Sequence, residues 1–519
     1  MPIPEDANAA FEKLNAQIKK GAPPPNHALE ILGNYIDAAT DHKDDSAAEK
    51  AIATASALTE TELLPTAKTL LYYFTANAWA IKDYIGNPIP DTVWEWKQEV
   101  LEQQLYCLRQ ACTSPGFTAI PKEQQACIYT NLANLLDRIG RFSEAPENYD
   151  RAITLIPEFG MAIANKARAL LTYARHDHDS GHRRAFLYHS HELCQQALTC
   201  PLPDVVRDGL KYEIGNITRL VGAEFLNEPK EDVNILGDSP AEIAYRKWCL
   251  SNHLFLNPIN NIGPLGIAAH DPLLLPDITT DLNEPPWFLG LFNQLKQEYI
   301  SARYFYYSGI SSEQNHFSDK GVYLVNTLDY TAHSLAIEKI KISFRMSYSI
   351  FDKIAYFLNE YFKLEFPERN IYFNTIWYKD GNYKKGLNSI FQARKNLPLR
   401  GLYWLSRDLF EENAPFVKAL EPDAKKLRSI RNHLEHKYIK IQDHFQDGHD
   451  QNPMSDPLAE RISRTDFTEK TFRILHLTRA ALIYLSFAIN KEEEGKRQSQ
   501  APTFIAPMPT DILRDTDKI

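Results

Sequence analysis

The chain lacks any run of about eighteen uninterrupted apolar residues, the length a membrane-spanning helix needs, so no membrane partner is expected. Its opening stretch, MPIPEDANAAFEKL, lacks a basic region followed by an apolar one, and no secretory leader is expected. Cysteine is scarce: there are six, at 107, 112, 127, 194, 200 and 249, and none forms a Cys-x-x-Cys pair. That excludes a disulfide framework and fits thiols kept reduced in a cytoplasm. Neither a P-loop nor a credible Gly-x-Gly-x-x-Gly occurs, so nucleotide chemistry of those kinds has no support and no cofactor is expected. The Gly-x-Ser-x-Gly elbow is missing too. Strong charge of one sign is also absent. A net charge of −10 over 519 residues is mildly acidic. Such a chain is no general polyanion binder, so contact with nucleic acid must rest on a local patch.

What is present is ordinary globular material, 44% hydrophobic and 24% charged, long enough for three or four domains at roughly 100–200 residues each. From residue 28 to about 225, Ala, Leu and Tyr recur at helical spacing, with Pro115 and Gly140 between segments. One stretch resembles a tetratricopeptide repeat, whose signature spans about 34 residues. Tyr129, Leu132, Ala133, Leu136, Ala145, Tyr149 and Pro157 stand at its spacing, with Gly140 in the turn. Tyr replaces Trp, Ala replaces Gly and Leu replaces Tyr. One repeat cannot bury its face alone, so degenerate neighbours are expected at 59–84, 92–112 and 184–225.

Composition shifts near residue 228. The stretch 228–285 is rich in Pro and Asn and reads as an irregular connector. Beyond it aromatics crowd together and demand a second core. Amphipathic helices are expected at 287–307 and 328–363. The second carries an apolar stripe of Phe344, Phe351, Ala355, Leu358 and Phe362, read as core packing. IYFNTIWY at 371–378 is β-like. Further helices are expected at 402–412, 421–441 and 466–490, and the tail after Lys491 reads as loose. Five histidines, His176, His178, His182, His189 and His191, cluster at 176–191. Such density can bind zinc, but the spacing draws no compact site. The stretch reads as an enlarged loop between repeat helices, and no metal is assigned.

The segment RSIRNHLEHKYIK at 428–440 carries the chemistry. It packs Arg428, Arg431, His433, His436, Lys437 and Lys440 into little more than three helical turns, with Lys425 and Lys426 just before. At 100° per residue, Asn432, His433, His436 and Lys440 share one side. Arg431 lies five residues before His436, with an arm long enough to reach towards the same point. Imidazole titrates near neutrality and can both take and give a proton. Guanidinium stays charged and can fork onto a phosphate. A solvated basic face is the plainer reading of such a helix. Local charge favours phosphate contact: residues 372–440 hold fourteen Lys and Arg against seven Asp and Glu, in a chain that is acidic overall. Tyr378, Tyr383 and Trp404 could stack unpaired bases, with burial the stronger reading for Trp404.

Arg431-Asn432-x-x-x-His436-x-Tyr438 has the form R-x4-H-x-Y. This resembles the signature of the HEPN superfamily, the higher eukaryote and prokaryote nucleotide-binding domain. The flanking text FNQLKQEYISARYFYY, YSIFDKIAYFLNEYFKL, LPLRGLYWLSRDLF and EPDAKKLRSIRNHLEHKY is similar to a bacterial HEPN family with N-terminal helical repeats, over roughly 240–490. The resemblance implies an all-α chain: a tetratricopeptide-like array at 1–227, a connector at 228–285, a HEPN bundle with small irregular or β-like insertions at 286–490, and a tail at 491–519. It further implies a metal-independent endoribonuclease acting as a homodimer, with two motif helices building one composite site. His436 would be general acid or base, Arg431 would bind the phosphate, and Asn432 would orient the substrate or His436. Arg428, His433, Lys437, Tyr438, Lys425, Lys426 and Asp352 would contact RNA or support the site. Tyr438 could be a control point, modified in some relatives, or simple packing. Asp352 could pair with Arg428 or Arg431, or be a surface carboxylate. The repeats would take a protein partner. A HEPN domain that holds RNA or a nucleotide without cutting it is the rival reading.

Overall fold

The computed structural model describes residues 4–20, 27–59, 62–86, 95–228, 236–281, 284–312, 315–409, 423–443, 456–499 and 511–518. Among them lie eighteen α-helices and one two-stranded sheet, so the expected all-α class is observed. The segment with the repeat spacing folds as a helix Lys122–Arg138, a turn, and a helix Ala145–Leu155. Ala133, Leu136, Ala145 and Tyr149 are buried between them. A second pair, Gly160–His176 and Ser180–Leu198, stacks on the first. Helical repeats are therefore consistent with the N-terminal region.

One apolar core runs without a break from Ala76 and Trp96 through the repeat helices to Ile489. Its axis is the final helix, Arg464–Ser499, whose residues from Ala480 to Ile489 are all buried. By length and composition this helix could cross a membrane, but 83% of its apolar window lies inside the protein. The stretch expected to be an irregular connector holds a helix, Pro240–Ser251, and a tightly packed turn around Asn257, Asn260 and Asn261. Arg479 of the final helix donates to the carbonyls of Phe255 and Asn257 at 2.6 and 2.9 Å and to Asn261 Oδ1 at 2.8 Å. A buried guanidinium thus satisfies the Phe255 carbonyl and adds a second bond to that of Asn257, which also accepts the Asn260 N–H at 3.0 Å.

The docking between repeats and bundle is polar at its centre. Asp408, at the end of the helix Leu397–Leu409, is fully buried. Arg109 grips both of its oxygens through its two terminal nitrogens, at 2.6 and 2.9 Å, and Arg141 shares Oδ2 with it. Arg141 continues to Glu144 at 2.6 Å. Burial disfavours the charge of Asp408, but the two guanidiniums outweigh it and hold its pKa down at about 2. Close by, Gly140, with φ +91°, sets its carbonyl against Gly401, where a methyl on either glycine would collide with backbone. Only glycine permits that approach.

Several expected elements differ. The helix expected at 328–363 begins at Leu335, because Leu328 and Tyr330 take left-handed backbone angles and Ser334 caps the Ile337 N–H. Its apolar stripe is buried as expected. IYFNTIWY forms turns with one isolated bridge from Tyr378, since Ile371, Phe373, Ile376 and Trp377 are pulled into the core. The expected 402–412 helix spans Leu397–Leu409, and residues 410–422 lie outside the described ones. The helix expected at 421–441 is Ala424–His436; Lys437 leaves helical geometry at φ −137°, ψ −142°. Tyr438–Gln442 then forms strand β1, parallel to β2 at Ala459–Ser463. Alternating burial decides this: Ile439 and Ile441 point inward. The final helix runs past Lys491 to Ser499 because Glu493 is buried and accepts the Tyr361 hydroxyl at 2.6 Å and the Thr279 N–H at 3.1 Å. The histidine-rich stretch is no enlarged loop. Asp179 caps the Ser180–Leu198 helix by accepting the His182 N–H, so the turn after His176 is short.

Asp408→Asn leaves two buried guanidiniums without their shared counter-charge. It is expected to lower unfolding free energy by ~3–5 kcal/mol at pH 7 in a urea titration. The wild-type carboxylate is stabilising above its unfolded value, about 3.9, and that contribution disappears as pH falls towards 2. The variant's acid limb should be correspondingly flatter.

Candidate nucleic-acid site

The Ala424–His436 helix buries Ala424, Leu427, Ile430 and Leu434, at steps of three, three and four, against the Leu335–Phe362 and Leu397–Leu409 helices. Its opposite face is left for the charged residues. Both ends are fixed by cations from neighbours. Lys470 of the final helix bonds Asp423 at the start at 2.8 Å. Arg345 donates to the Leu434 carbonyl at the end, with its Nε 3.8 Å from Glu435. A cation at the last carbonyls also complements the helix dipole.

Arg431 is half-buried. Its guanidinium carbon lies 5.8 Å from the centre of the Tyr348 ring, and Nη1 donates to Asn432 Oδ1 at 3.1 Å. Asp352, one turn beyond Tyr348, accepts the Phe373 N–H at 3.1 Å. Burial raises the Asp352 pKa, while that hydrogen bond and the field of Arg431 pull it back. Burial raises the Tyr348 phenol as well, helped by Asp352 and opposed by Arg431 and Arg428. Asp352 is half-buried beside Phe373, and Arg431, Asn432 and Tyr348 lie together on the motif side.

His436 is the last residue of the helix and is exposed, as are Lys425 and Lys437. Tyr438 opens β1 with 43% of its surface exposed. Five helical residues separate Arg431 and His436 by about 7.5 Å along the axis and 140° around it. No hydrogen bond joins the two side chains among the described residues. His433 turns another way: its Nδ1 sits 2.8 Å from the Ser429 carbonyl and 3.9 Å from Glu460 on β2. Glu460 also takes Lys426 at 3.3 Å. Lys440 is on the strand, not on the helix face with His436, and pairs with Asp329 at 2.6 Å and Asp456 at 3.1 Å.

The positive surplus of 372–440 is smaller at the surface than in the sequence. Arg400 and Arg407 are buried, the latter 3.3 Å from Glu102. Tyr378 and Trp404 are buried in the aromatic core and Tyr383 is half-buried, so the first two cannot stack bases. Sequence reasoning missed Tyr348, Arg345 and Glu460. The first two were accessible from spacing, since Arg345, Tyr348 and Asp352 fall at steps of three and four on one helix face. Glu460 was not, because it arrives through parallel strand pairing. Among the described residues, no three His, Cys, Asp or Glu side chains are placed to hold a metal ion.

The Arg-x4-His helix is thus seated on the Leu335–Phe362 and Leu397–Leu409 helices of an all-helical region. Residues 279–492 match the LA2681-like HEPN family, so the C-terminal part of the chain is a HEPN domain of that kind. No curated protein and no solved structure matches the chain.

Because its folded pKa is raised, Asp352 binds its proton more tightly in the folded state, and its ionisation costs stability as pH rises through that raised value. Asp352→Asn keeps an acceptor for Phe373 and removes the charge. Its melting temperature at pH 7 should match or exceed that of the wild type, with a flatter slope above the ordinary carboxylate range.

Proposed function

We propose that the protein is a metal-independent endoribonuclease that cuts single-stranded RNA. The observation that carries this reading is the division of labour on one helix. Arg431 is held over Tyr348 with its fork turned to Asn432, while His436 stands in solvent at the helix end. A fixed guanidinium is suited to the charge that grows on a phosphodiester under attack. An exposed imidazole is free to exchange protons. In the reaction, the 2′-hydroxyl attacks the adjacent phosphorus and gives its proton to one His436. The bond to the 5′-oxygen breaks, and that oxygen receives a proton from a second imidazole. The products are a 2′,3′-cyclic phosphate and a 5′-hydroxyl. A homodimer through the HEPN domain supplies the second His436 and a second Arg431.

Asn432 orients substrate, and Arg428, Lys425 and Lys437 meet the RNA backbone. A modifying partner acts on Tyr438 and blocks the site; its exposure, two residues after His436, supports this reading. The repeat helices take a protein trigger, and the whole acts in the cytoplasm as a bacterial defence, toxin or stress effector. That role rests on the family analogy.

Purified protein is expected to cut single-stranded RNA in EDTA, and His436→Ala to slow it at least ~100-fold, as loss of general acid–base catalysis does. Arg431→Ala should fall as far, with the fold unchanged by circular dichroism. RNA that is retained at low salt but never cut would identify a binding scaffold instead.

A further inference from the structure

Three basic residues of 372–440 that do stay at the surface stand together on one loop, away from the motif helix. Lys379, Lys384 and Lys385 are exposed on the stretch between Tyr378 and Leu387. An antiparallel bridge between those two residues closes the loop. The Lys379 N–H donates to the Gly386 carbonyl at 3.1 Å, and the Asn388 N–H to the Trp377 carbonyl at 2.9 Å. Trp377 and Tyr378 are buried, so the base of the loop belongs to the core. Its tip bends through left-handed angles at Asp380, Gly381 and Gly386, φ 51°, 67° and 79°. Such angles suit Gly and, among other residues, Asp. Asn382 Oδ1 accepts the Lys384 N–H at 3.0 Å and holds the second bend.

A series of contacts joins this loop to the motif helix. Gly381 sits against Thr375, whose N–H donates to the Tyr372 carbonyl at 3.1 Å. The neighbour of Tyr372, Phe373, gives its N–H to Asp352 at 3.1 Å. One turn before Asp352 on the same helix face is Tyr348, with the Arg431 guanidinium 5.8 Å from its ring centre. One turn after Asp352 is Tyr356. Tyr356 and Tyr372 are 38% and 48% exposed. They flank the Asp352–Phe373 hydrogen bond from its two sides, so two open phenol rings stand along the route from Arg431 to the lysines.

Charge and rings together identify the ligand. Over 363–385, exposed Lys363, Arg369, Lys379, Lys384 and Lys385 stand against exposed Glu365, Glu368 and Asp380, a surplus of two positive charges in a chain of net charge −10. Asp380 holds Lys385 at 2.7 Å, whereas Lys379 and Lys384 have no carboxylate partner among the described residues. A positive island on an acidic protein draws a polyanion. Open tyrosine rings draw flat apolar faces, which unpaired bases have and an acidic peptide lacks. We propose that Tyr356, Tyr372 and the 378–387 loop form a second RNA subsite, which guides a single strand away from Arg431. Bases stack on the two rings, and phosphates meet Lys379 and Lys384. The subsite deepens the ribonuclease reading and rests on it for the passage of the strand over Arg431. It also sets a length for the substrate. Arg345 touches the end of the motif helix, and Asp352, seven residues further along the Leu335–Phe362 helix, lies about 10 Å away. That distance takes about three stacked nucleotides at ~3.4 Å each. A trinucleotide held at His436 stops short of the rings, and a longer strand reaches the loop.

Fluorescence anisotropy with a labelled ten-nucleotide single-stranded RNA in EDTA tests the subsite, on the full chain carrying His436→Ala so that the RNA stays intact. Adding Lys379→Gln and Lys384→Gln should weaken binding. It should also flatten the slope of log affinity against log salt by about 1.4, since each phosphate contact on a single strand contributes ~0.7. Adding Tyr356→Ala and Tyr372→Ala instead should weaken binding at least ~5-fold, as loss of one stacked base does, and leave the slope unchanged. Phe at both positions keeps the rings and should restore binding, which separates lost stacking from a disturbed fold. A labelled trinucleotide should be held equally by all these chains. Unchanged affinity of the Gln or Ala pairs for the longer RNA overturns the subsite, as does a parent chain that retains no RNA. Polyglutamate or duplex RNA competing as well as the single strand overturns the assignment to unpaired RNA. The outcomes for the two readings are distinct. RNA held through the loop but never cut by the native chain sinks the nuclease and not the subsite. Cutting of the longer RNA with an unchanged KM by the Gln pair, in a chain with His436 intact, sinks the subsite and not the nuclease.

Discussion

The architecture turns on one buried carboxylate. Asp408 ends a helix of the HEPN domain, yet its guanidinium partners come from the N-terminal helical region, Arg109 from the Glu99–Thr113 helix and Arg141 from the turn before Ala145–Leu155. An ion pair in the interior is not a source of large net stability, because desolvation offsets most of the attraction. Its value is positional. Any docking of the repeats that failed to bring Arg109 and Arg141 to Asp408 would strand three charges in an apolar interior. The Gly140–Gly401 contact then sets how closely the two surfaces approach.

This explains how the motif helix comes to be held as it is. Its apolar side is fixed by the bundle, its start by Lys470 and its end by Arg345. Those anchors leave Arg431 little freedom and His436 a great deal. A helix with both groups buried would be inert, and one with both exposed would be an ordinary solvated face. The observed arrangement lies between, with the permanent charge constrained and the titratable ring left open.

Much of this was legible in the sequence, and the reasons for success and failure are physical. Helical spacing marked the repeat pair around Gly140 and the Phe344–Phe362 stripe, because 3.6-residue periodicity is a local property. It failed where tertiary context decides. Ile439 and Ile441 continue an apparent helix until a partner strand, absent from the local pattern, turns them into β1. Ile371, Phe373, Ile376 and Trp377 look like a strand but are a buried turn. The basic surplus of 372–440 was real as a count. It overstated the surface because Arg400 and Arg407 are interior groups, and one of them faces a carboxylate far away in sequence. Burial of charge by remote partners leaves no trace in local composition.

The lengthy closing helix has a consequence for synthesis. Residues 480–489 lie in a core shared by helices from Ala76 onward, whereas the first three helices are buried in a separate core. A ribosome must therefore deliver the chain through Ile489 before that shared core can be filled. A truncated nascent product would carry the Arg431–His436 segment without the Lys470 anchor at the start of its helix. Packing of the Arg464–Ser499 helix is thus a late event, set by the order in which the segments of this core emerge.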